Sequence, residues 1–226
     1  MNISFILNEP AIPANIGSSA RAIKTMGFSN LYLVNPSCNY INNEASWLAH
    51  GSNDILKNAI LYNNFNDCIS QFDFIIGTSA KQRISKFDYY PIEKMNNFII
   101  KKGNTINNIG IVFGKEESGL NNKEIKQCDI VTFVPMACKY PSLNLSQAVM
   151  LYAYQLSKLK SQKTEIQEEK EEGNIYKAMK KNVIKVLNKT YISKNENLYH
   201  RILERIASAG KNDIHLINSA CNALLQ

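Results

Sequence analysis

Residues 109–120 read IGIVFGKEESGL. Ile109, Ile111, Val112 and Phe113 form a short β-favouring run that ends at Gly114. An acidic stretch follows and closes at Gly119. A run apolar on both faces suits a strand buried on both sides, as in a parallel sheet covered by helices. Two glycines bracketing Glu116 make a tight loop that can lie against a flat ligand. Just beyond, Asn121 and Glu124 have the N-cap and N3 spacing of a helix start.

Working outward, similar apolar runs recur at 3–8 (ISFILN), 31–34 (LYLV), 73–77 (DFIIG) and 130–134 (IVTFV). Helix-like stretches lie between them, at 15–26, 44–50, 65–71, 121–127 and 143–159. The alternation predicts a three-layer α/β domain with a mostly parallel sheet between helices. In such sheets, ligands bind beyond the carboxyl ends of the strands. The polar residues that follow each strand are therefore the candidates for function.

The 226 residues suit one domain with a small appendage. The α/β pattern occupies 1–159. Residues 160–173, KSQKTEIQEEKEEG, lack apolar periodicity and read as a charged linker or helix extension. From 174 to 226 apolar residues return at helical spacing: Ile175, Met179, Val183, Val186 and Leu187, then Leu198, Ile202, Leu203 and Ile206, then Leu216, Ala220, Ala223 and Leu224. This predicts a helical C-terminal region packed on the first unit or on a second copy.

Several classes lose support. No apolar run of about 18 residues is present, so no transmembrane helix is expected. The N-terminus lacks the basic flank and cleavage pattern of a signal peptide. Cys38, Cys68, Cys128, Cys138 and Cys221 are scattered, which favours free thiols in a reducing cytosol. His50, His200 and His215 make no metal-ligand pattern. Neither G-x-x-x-x-G-K-[ST] nor G-x-G-x-x-G is found. The net charge is +7, with 13 basic and 11 acidic residues in 1–157 against 13 and 8 in 158–226. That basic excess fits a polyanionic partner such as RNA. A simple solvating use of lysine fits it equally well.

Two further stretches stand beside the acidic loop. In PANIGSSARAIKTMGF, 13–28, Asn15 can cap a helix, Gly17 allows close backbone approach, and Arg21 lies one turn on. As a lone residue, Arg21 is as readily a solvated surface charge. In VPMACKYPSLNLSQAV, 134–149, Pro141 should start a helix near Ser142. Ser142 as a cap leaves unexplained why Asn144 sits between Leu143 and Leu145, since a buried amide is costly unless paired.

Together, Asn15-x-Gly17-x-x-x-Arg21, Gly114-x-Glu116-x-x-Gly119 and Ser142-Leu143-Asn144-Leu145 resemble the three motifs of the SpoU-type RNA ribose 2′-O-methyltransferases of the SPOUT superfamily. ARAIKTMGF, HGSNDI, VFGKEESGL and YPSLNLSQAVMLYAYQL are similar to the TrmJ- and LasT-like tRNA/rRNA methyltransferases within it. The likeness covers about residues 1–158.

The resemblance implies a C-terminal trefoil knot, an exception among folds. It implies S-adenosylmethionine as cofactor, held by Thr78, Ser79 and Ala80, by Gly114, by Val134 to Met136, and by Ser142, Leu143 and Asn144. It implies Arg21 as the catalytic arginine, with Asn15, Glu116, Ser142 and Asn144 in the site and no metal. Glu116 as a general base is the weaker alternative, and whether Arg21 or a phosphate takes the proton stays open. The implied protein is a cytoplasmic homodimer acting on tRNA, with a pyrimidine at the start of the anticodon loop as the nucleotide that TrmJ-like members modify. Alternatives are rRNA 2′-O-methylation, methylation of a base, and a non-catalytic knotted RNA-binding paralogue.

Overall fold

The computed structural model describes residues 1–80, 88–137, 143–162 and 174–225. Seven parallel strands form one sheet in the order β3-β2-β1-β6-β4-β7-β5. They are β1 (Asn2–Asn8), β2 (Asn30–Val34), β3 (Ile60–Tyr62), β4 (Phe74–Thr78), β5 (Tyr89–Pro91), β6 (Asn108–Phe113) and β7 (Ile130–Phe133). The five runs read from the sequence are the five inner strands. The edge strands β3 and β5 have three residues each, too short to show a period.

Side-chain alternation sorts the core into two layers. Phe5, Leu7, Leu31, Leu33, Phe74, Ile76, Ile109, Ile111 and Phe113 face one layer. Helices α1 (Pro13–Thr25), α2 (Asn43–Ala49), α3 (Asn53–Lys57), α5 (Met95–Lys102) and α7 (Leu145–Gln162) contribute to it. Ile6, Val34, Ile75, Val112 and Val131 face the other, closed by Cys68 of α4 (Phe65–Ile69) and Ile125 of α6 (Asn122–Ile125). Burial pushes the Cys68 thiol up to about 12. It is an inert packing group, in keeping with the free thiol read from the sequence.

Local chemistry fixes the helix starts. Asn121 and Glu124 form a complete capping box at α6. Asn42 and Asn64 cap α2 and α4. Two expectations fail here. Asn15 does not cap α1, because the helix already starts at Pro13, whose missing N–H suits a first turn. Nor does the last helix of the α/β unit start at Ser142: α7 opens at Leu145 and Asn144 takes the cap position. Gly17 does serve close approach, but to protein. A Cβ there would sit 2.2 Å from the Ala45 carbonyl oxygen, so α1 and α2 pack backbone to backbone.

The C-terminal chain forms α8 (Ile175–Asn188), α9 (Glu196–Ala207) and α10 (Lys211–Leu225). Tyr176, Met179, Val183, Leu187, Ala207, Ile214 and Cys221 join the first core layer. Tyr176 meets Phe74 edge to face at 5.4 Å. Lys102 is fully buried beneath these helices and donates to the carbonyls of Ala207 and Ala209 at 2.7 and 2.8 Å. The third expected stripe is wrong in phase. Leu216, Ala220, Ala223 and Leu224 face outward, with Leu216 71% and Leu224 69% exposed, while Ile214 and Cys221 turn inward. A helix carrying apolar residues on more than one side leaves its inner face undecided by periodicity alone. Of the expected linker, α7 takes residues up to Gln162, and 163–173 lie outside the described residues. Among the described residues, no helix is long and apolar enough to cross a membrane.

Candidate active site

Strands β4, β6 and β7 end at one edge of the sheet, and the loops that leave them face each other. Between them lies an open cavity of about 270 Å³. Thr78, Ser79 and Ala80 line it from β4, residues 113–119 from β6, and Val134 and Met136 from β7. Leu143, Leu145, Ala148 and Tyr152 close it from the start of α7. The cavity thus has apolar walls, with hydroxyl and backbone polar groups between them, the make-up expected of a small-molecule site.

The β6 loop is held in a narrow turn. A Cβ at Gly114 would lie 2.6 Å from the Leu120 amide nitrogen, and Gly119 has φ +66°. Only glycine tolerates both demands at little cost. Ser79 N–H donates to the Thr132 carbonyl over 3.0 Å, joining the other two loops at their base. Tyr152 hydroxyl and Thr132 Oγ1 lie 2.9 Å apart. Burial pushes the Tyr152 phenol well above its ordinary range, so it stays protonated and acts as a wall of the cavity.

Glu116 has a definite task. Its carboxylate accepts from the Ala11 N–H at 3.2 and 3.3 Å and from the Ile12 N–H at 3.3 Å. It also accepts from Asn15 Nδ2 at 3.5 Å. These are donors at the mouth of α1, where a negative charge also meets the positive end of the helix dipole. Asn15, 6% exposed, then accepts from Asn144 Nδ2 at 2.7 Å. Asn144 Oδ1 accepts from the Ser146 N–H and hydroxyl, and the Gln147 side chain accepts from the Asn144 N–H. One polar chain therefore runs from the β6 loop through α1 to the cap of α7. It explains the amide among leucines at 143–145. Asn144 does not line the cavity, and Ser142 lies outside the described residues.

Arg21 is apart from this cavity. It is exposed on α1 and lines an open cleft of about 460 Å³ with Ser18, Leu48, Ser146, Gln147 and Met150. The first turns of α7 separate the two spaces. Leu145, Ala148 and Tyr152 face the cavity, and Ser146, Gln147, Met150 and Leu151 face the Arg21 cleft. Leu151 at the cleft and Tyr154 beyond it are exposed on α7, and Trp47 is 78% exposed on α2.

Some wall residues were not singled out from the sequence. Tyr152 stands seven positions after Leu145, a helical spacing that signals it in retrospect. Lys115 lines the cavity and pairs with Glu9 at 3.0 Å across the β1 and β6 loops. No local pattern links residues so far apart in the chain. Among the described residues, no three His, Cys, Asp or Glu side chains converge as metal ligands.

Comparison with known proteins agrees with this geometry. The SpoU rRNA Methylase family model matches residues 2–154. The chain is 42% identical over 161 residues to a protein of Escherichia coli K12 named uncharacterized tRNA/rRNA methyltransferase LasT, covering 70% of this chain and 69% of that one. It is 39% identical over 158 residues to tRNA (cytidine-2′-O-)-methyltransferase TrmJ of Methanocaldococcus jannaschii, covering 68% and 66%. The chain thus spans about two thirds of the length of these relatives. A probable methylase family protein of Haemophilus influenzae Rd KW20 superposes with a TM-score of 0.67 at 28% identity, covering 98% of this chain and 95% of that one.

Proposed function

The chain belongs to the SpoU rRNA methylase family, and on that premise we propose that it is an S-adenosylmethionine-dependent RNA methyltransferase acting on a ribose 2′ hydroxyl of tRNA. The observation that carries this is the convergence of the β4, β6 and β7 loops with the start of α7 on one cavity. The relative from M. jannaschii is named for cytidine 2′-O-methylation in tRNA, which favours tRNA over rRNA. In this reading residues 1–159 are the catalytic unit, residues from 174 onward are an appendage that shares its core, and the protein works in the cytoplasm.

The cavity suits the cofactor in its chemistry. Phe113, Val134, Met136, Leu143 and Leu145 offer apolar faces for a purine, while Thr78, Ser79 and the 114–119 backbone offer polar partners. The family resemblance supports reading the β7–α7 connection as a trefoil knot. Leu143 lines the cavity, and Ser142 is a site residue in this reading by the family resemblance alone. When bound, the cofactor supplies a methyl group already activated on a sulfonium.

What remains for the protein is alignment and charge stabilisation. A guanidinium with a pKa above about 12 is a poor base. Arg21 therefore binds the phosphate beside the target ribose and stabilises charge on the 2′ oxygen. Asn15, Glu116 and Asn144 position the loops and do not touch the reacting atoms. Arg21 lies across α7 from the cavity of its own chain. We therefore infer a homodimer in which Arg21 of one copy serves the cavity of the other, with Leu151, Tyr154 and Trp47 at the interface.

The test is incubation of the purified full chain with S-adenosylmethionine and total tRNA or rRNA, then digestion to nucleosides and mass spectrometry. A 2′-O-methylated nucleoside from tRNA is expected. A methylated base, or product from rRNA alone, would replace the substrate assignment. No product from a folded protein that binds the cofactor would leave the non-catalytic paralogue.

A further inference from the structure

Asp129 is 5% exposed, lies just before β7 and does not line the cavity. Its N–H donates to the Ile75 carbonyl at 2.8 Å, and its Oδ2 accepts from the Ile75 N–H at 2.7 Å. One residue of β7's approach is thereby fastened twice to one residue of β4. The next pairs, Ile76 with Ile130 and Thr78 with Thr132, continue the same register up to the cavity. Both strands then release their wall residues, Thr78 to Ala80 and Val134 with Met136.

The other oxygen of Asp129 belongs to α8. Oδ1 accepts from the Tyr176 hydroxyl at 2.8 Å and from Lys180 Nζ at 2.5 Å. Lys180 is mostly covered, and the Asp129 carboxylate is 2% exposed. A buried carboxylate deprived of its cation would be left with an uncompensated charge and would shift toward other partners, and its grip on the Ile75 N–H would change with it. Lys177, one turn earlier on α8, makes a comparable tether to the Ser70 carbonyl at 2.6 Å. That tether ends just beyond α4 and touches neither strand.

We propose that Lys180, acting through Asp129, is a positioning residue for the cofactor cavity, so that docking of α8 sets the register and firmness of the β4 and β7 loops from behind. The inference rests on the cofactor reading of that cavity. It gives the C-terminal helices a part in cofactor binding besides any part in RNA capture. Tyr176 completes the joint, with its hydroxyl on Asp129 and its ring on Phe74.

The test uses the full chain and S-adenosylhomocysteine as the calorimetric probe, with amide hydrogen exchange on the ligand-free protein. Binding of the probe by the wild type, about one to one, checks the cofactor reading separately. Lys180→Met should weaken binding on the order of tenfold and speed exchange of the Ser79 N–H, which is bonded to Thr132. Lys180→Arg should restore both. Lys177→Met should change neither, although it removes a tether of the same helix. If Lys180→Met fails to fold, Tyr176→Phe keeps the ring packing, removes the hydroxyl, and should shift both readouts in the same direction. Unchanged affinity and exchange in Lys180→Met, or equal loosening by Lys177→Met, would overturn the proposal.

Discussion

Asn15 and Asn144 stand 129 positions apart in the chain, and their side-chain amides meet at 2.7 Å. The bond fastens the first turns of α1 to the cap of α7, and Glu116 holds the other side of Asn15. A shared, partly buried bond should make the two residues non-additive. Asn15→Ala and Asn144→Ala should each cost about 1–2 kcal/mol, with a coupling of roughly 1 kcal/mol in the double variant. Urea unfolding of the four proteins measures this. Strict additivity would mean that the bond carries no stability.

Glu116 serves α1 as a carboxylate cap, and the proposed positioning role can be told from a general-base role by substitution. Glu116→Gln keeps the shape and one acceptor but removes the charge at the helix mouth. Stability should fall by about 1 kcal/mol. The pH profile of methyl transfer should keep its shape. Loss of one limb of that profile in the variant would instead restore the general-base role.

Arg21 lies outside the cavity, so binding and chemistry should separate there. Arg21→Ala should bind S-adenosylhomocysteine with near-normal affinity and lose about 10²-fold or more in single-turnover rate. Mixing Arg21→Ala with a cavity-blocked Gly114→Val chain should recover part of the activity, because one of the two sites in a mixed dimer would be complete. Equal inactivity of the mixture would place Arg21 with its own chain's cavity.

Lys102 allows a test by pH. Burial holds its ammonium down to about 8, against an ordinary value of 10.5. Between these values the unfolded chain keeps a proton that the folded chain has lost, so stability from this group rises with pH across that window and is flat below it. Buried tyrosines and thiols work in the opposite direction, so wild type must be compared with Lys102→Met. The stability difference should shift in favour of the wild type by on the order of 3 kcal/mol between pH 8 and 10.5. A difference constant with pH would show that the ammonium is better solvated than its burial implies.

The inner strands were legible in the sequence because a parallel sheet demands apolar runs, and 109–113 is such a run. The capping box at Asn121 and Glu124 was legible because both partners lie within one turn. The cap of α7 was misplaced by two residues. The local Pro-Ser pattern points to Ser142, whereas Asn144 makes local bonds with Ser146 and Gln147 and a remote one with Asn15 that no local pattern records. The phase of α10 failed for a related reason. Leu216 and Leu224 are as apolar as Ile214 and Ile217, and what selects the inner side is α8, itself placed by Asp129 and Lys102. The cavity walls could be named because motif residues follow strands. The separation of Arg21 from them is a matter of which face of α7 each loop meets, and no spacing records that.

The basic C-terminal helices invite a test for RNA. Lys180 is committed to Asp129, so it cannot be counted among free phosphate ligands. Lys181, Lys185 and Lys189 are exposed, and Lys181 and Lys185 share one face of α8. Truncation near residue 160 would be a poor experiment, because it uncovers Phe74 and leaves Lys102 and Asp129 without their partners on the C-terminal helices. Charge reversal of Lys181, Lys185 and Lys189 to Glu leaves those interactions in place. If tRNA lies on this face, affinity should fall. The slope of log affinity against log salt should also shrink by about 0.7 to 0.9 for each phosphate no longer neutralised. Affinity for S-adenosylhomocysteine should be unchanged. An unaltered salt slope would make this face of α8 a solvated surface and move the RNA path toward the Arg21 cleft.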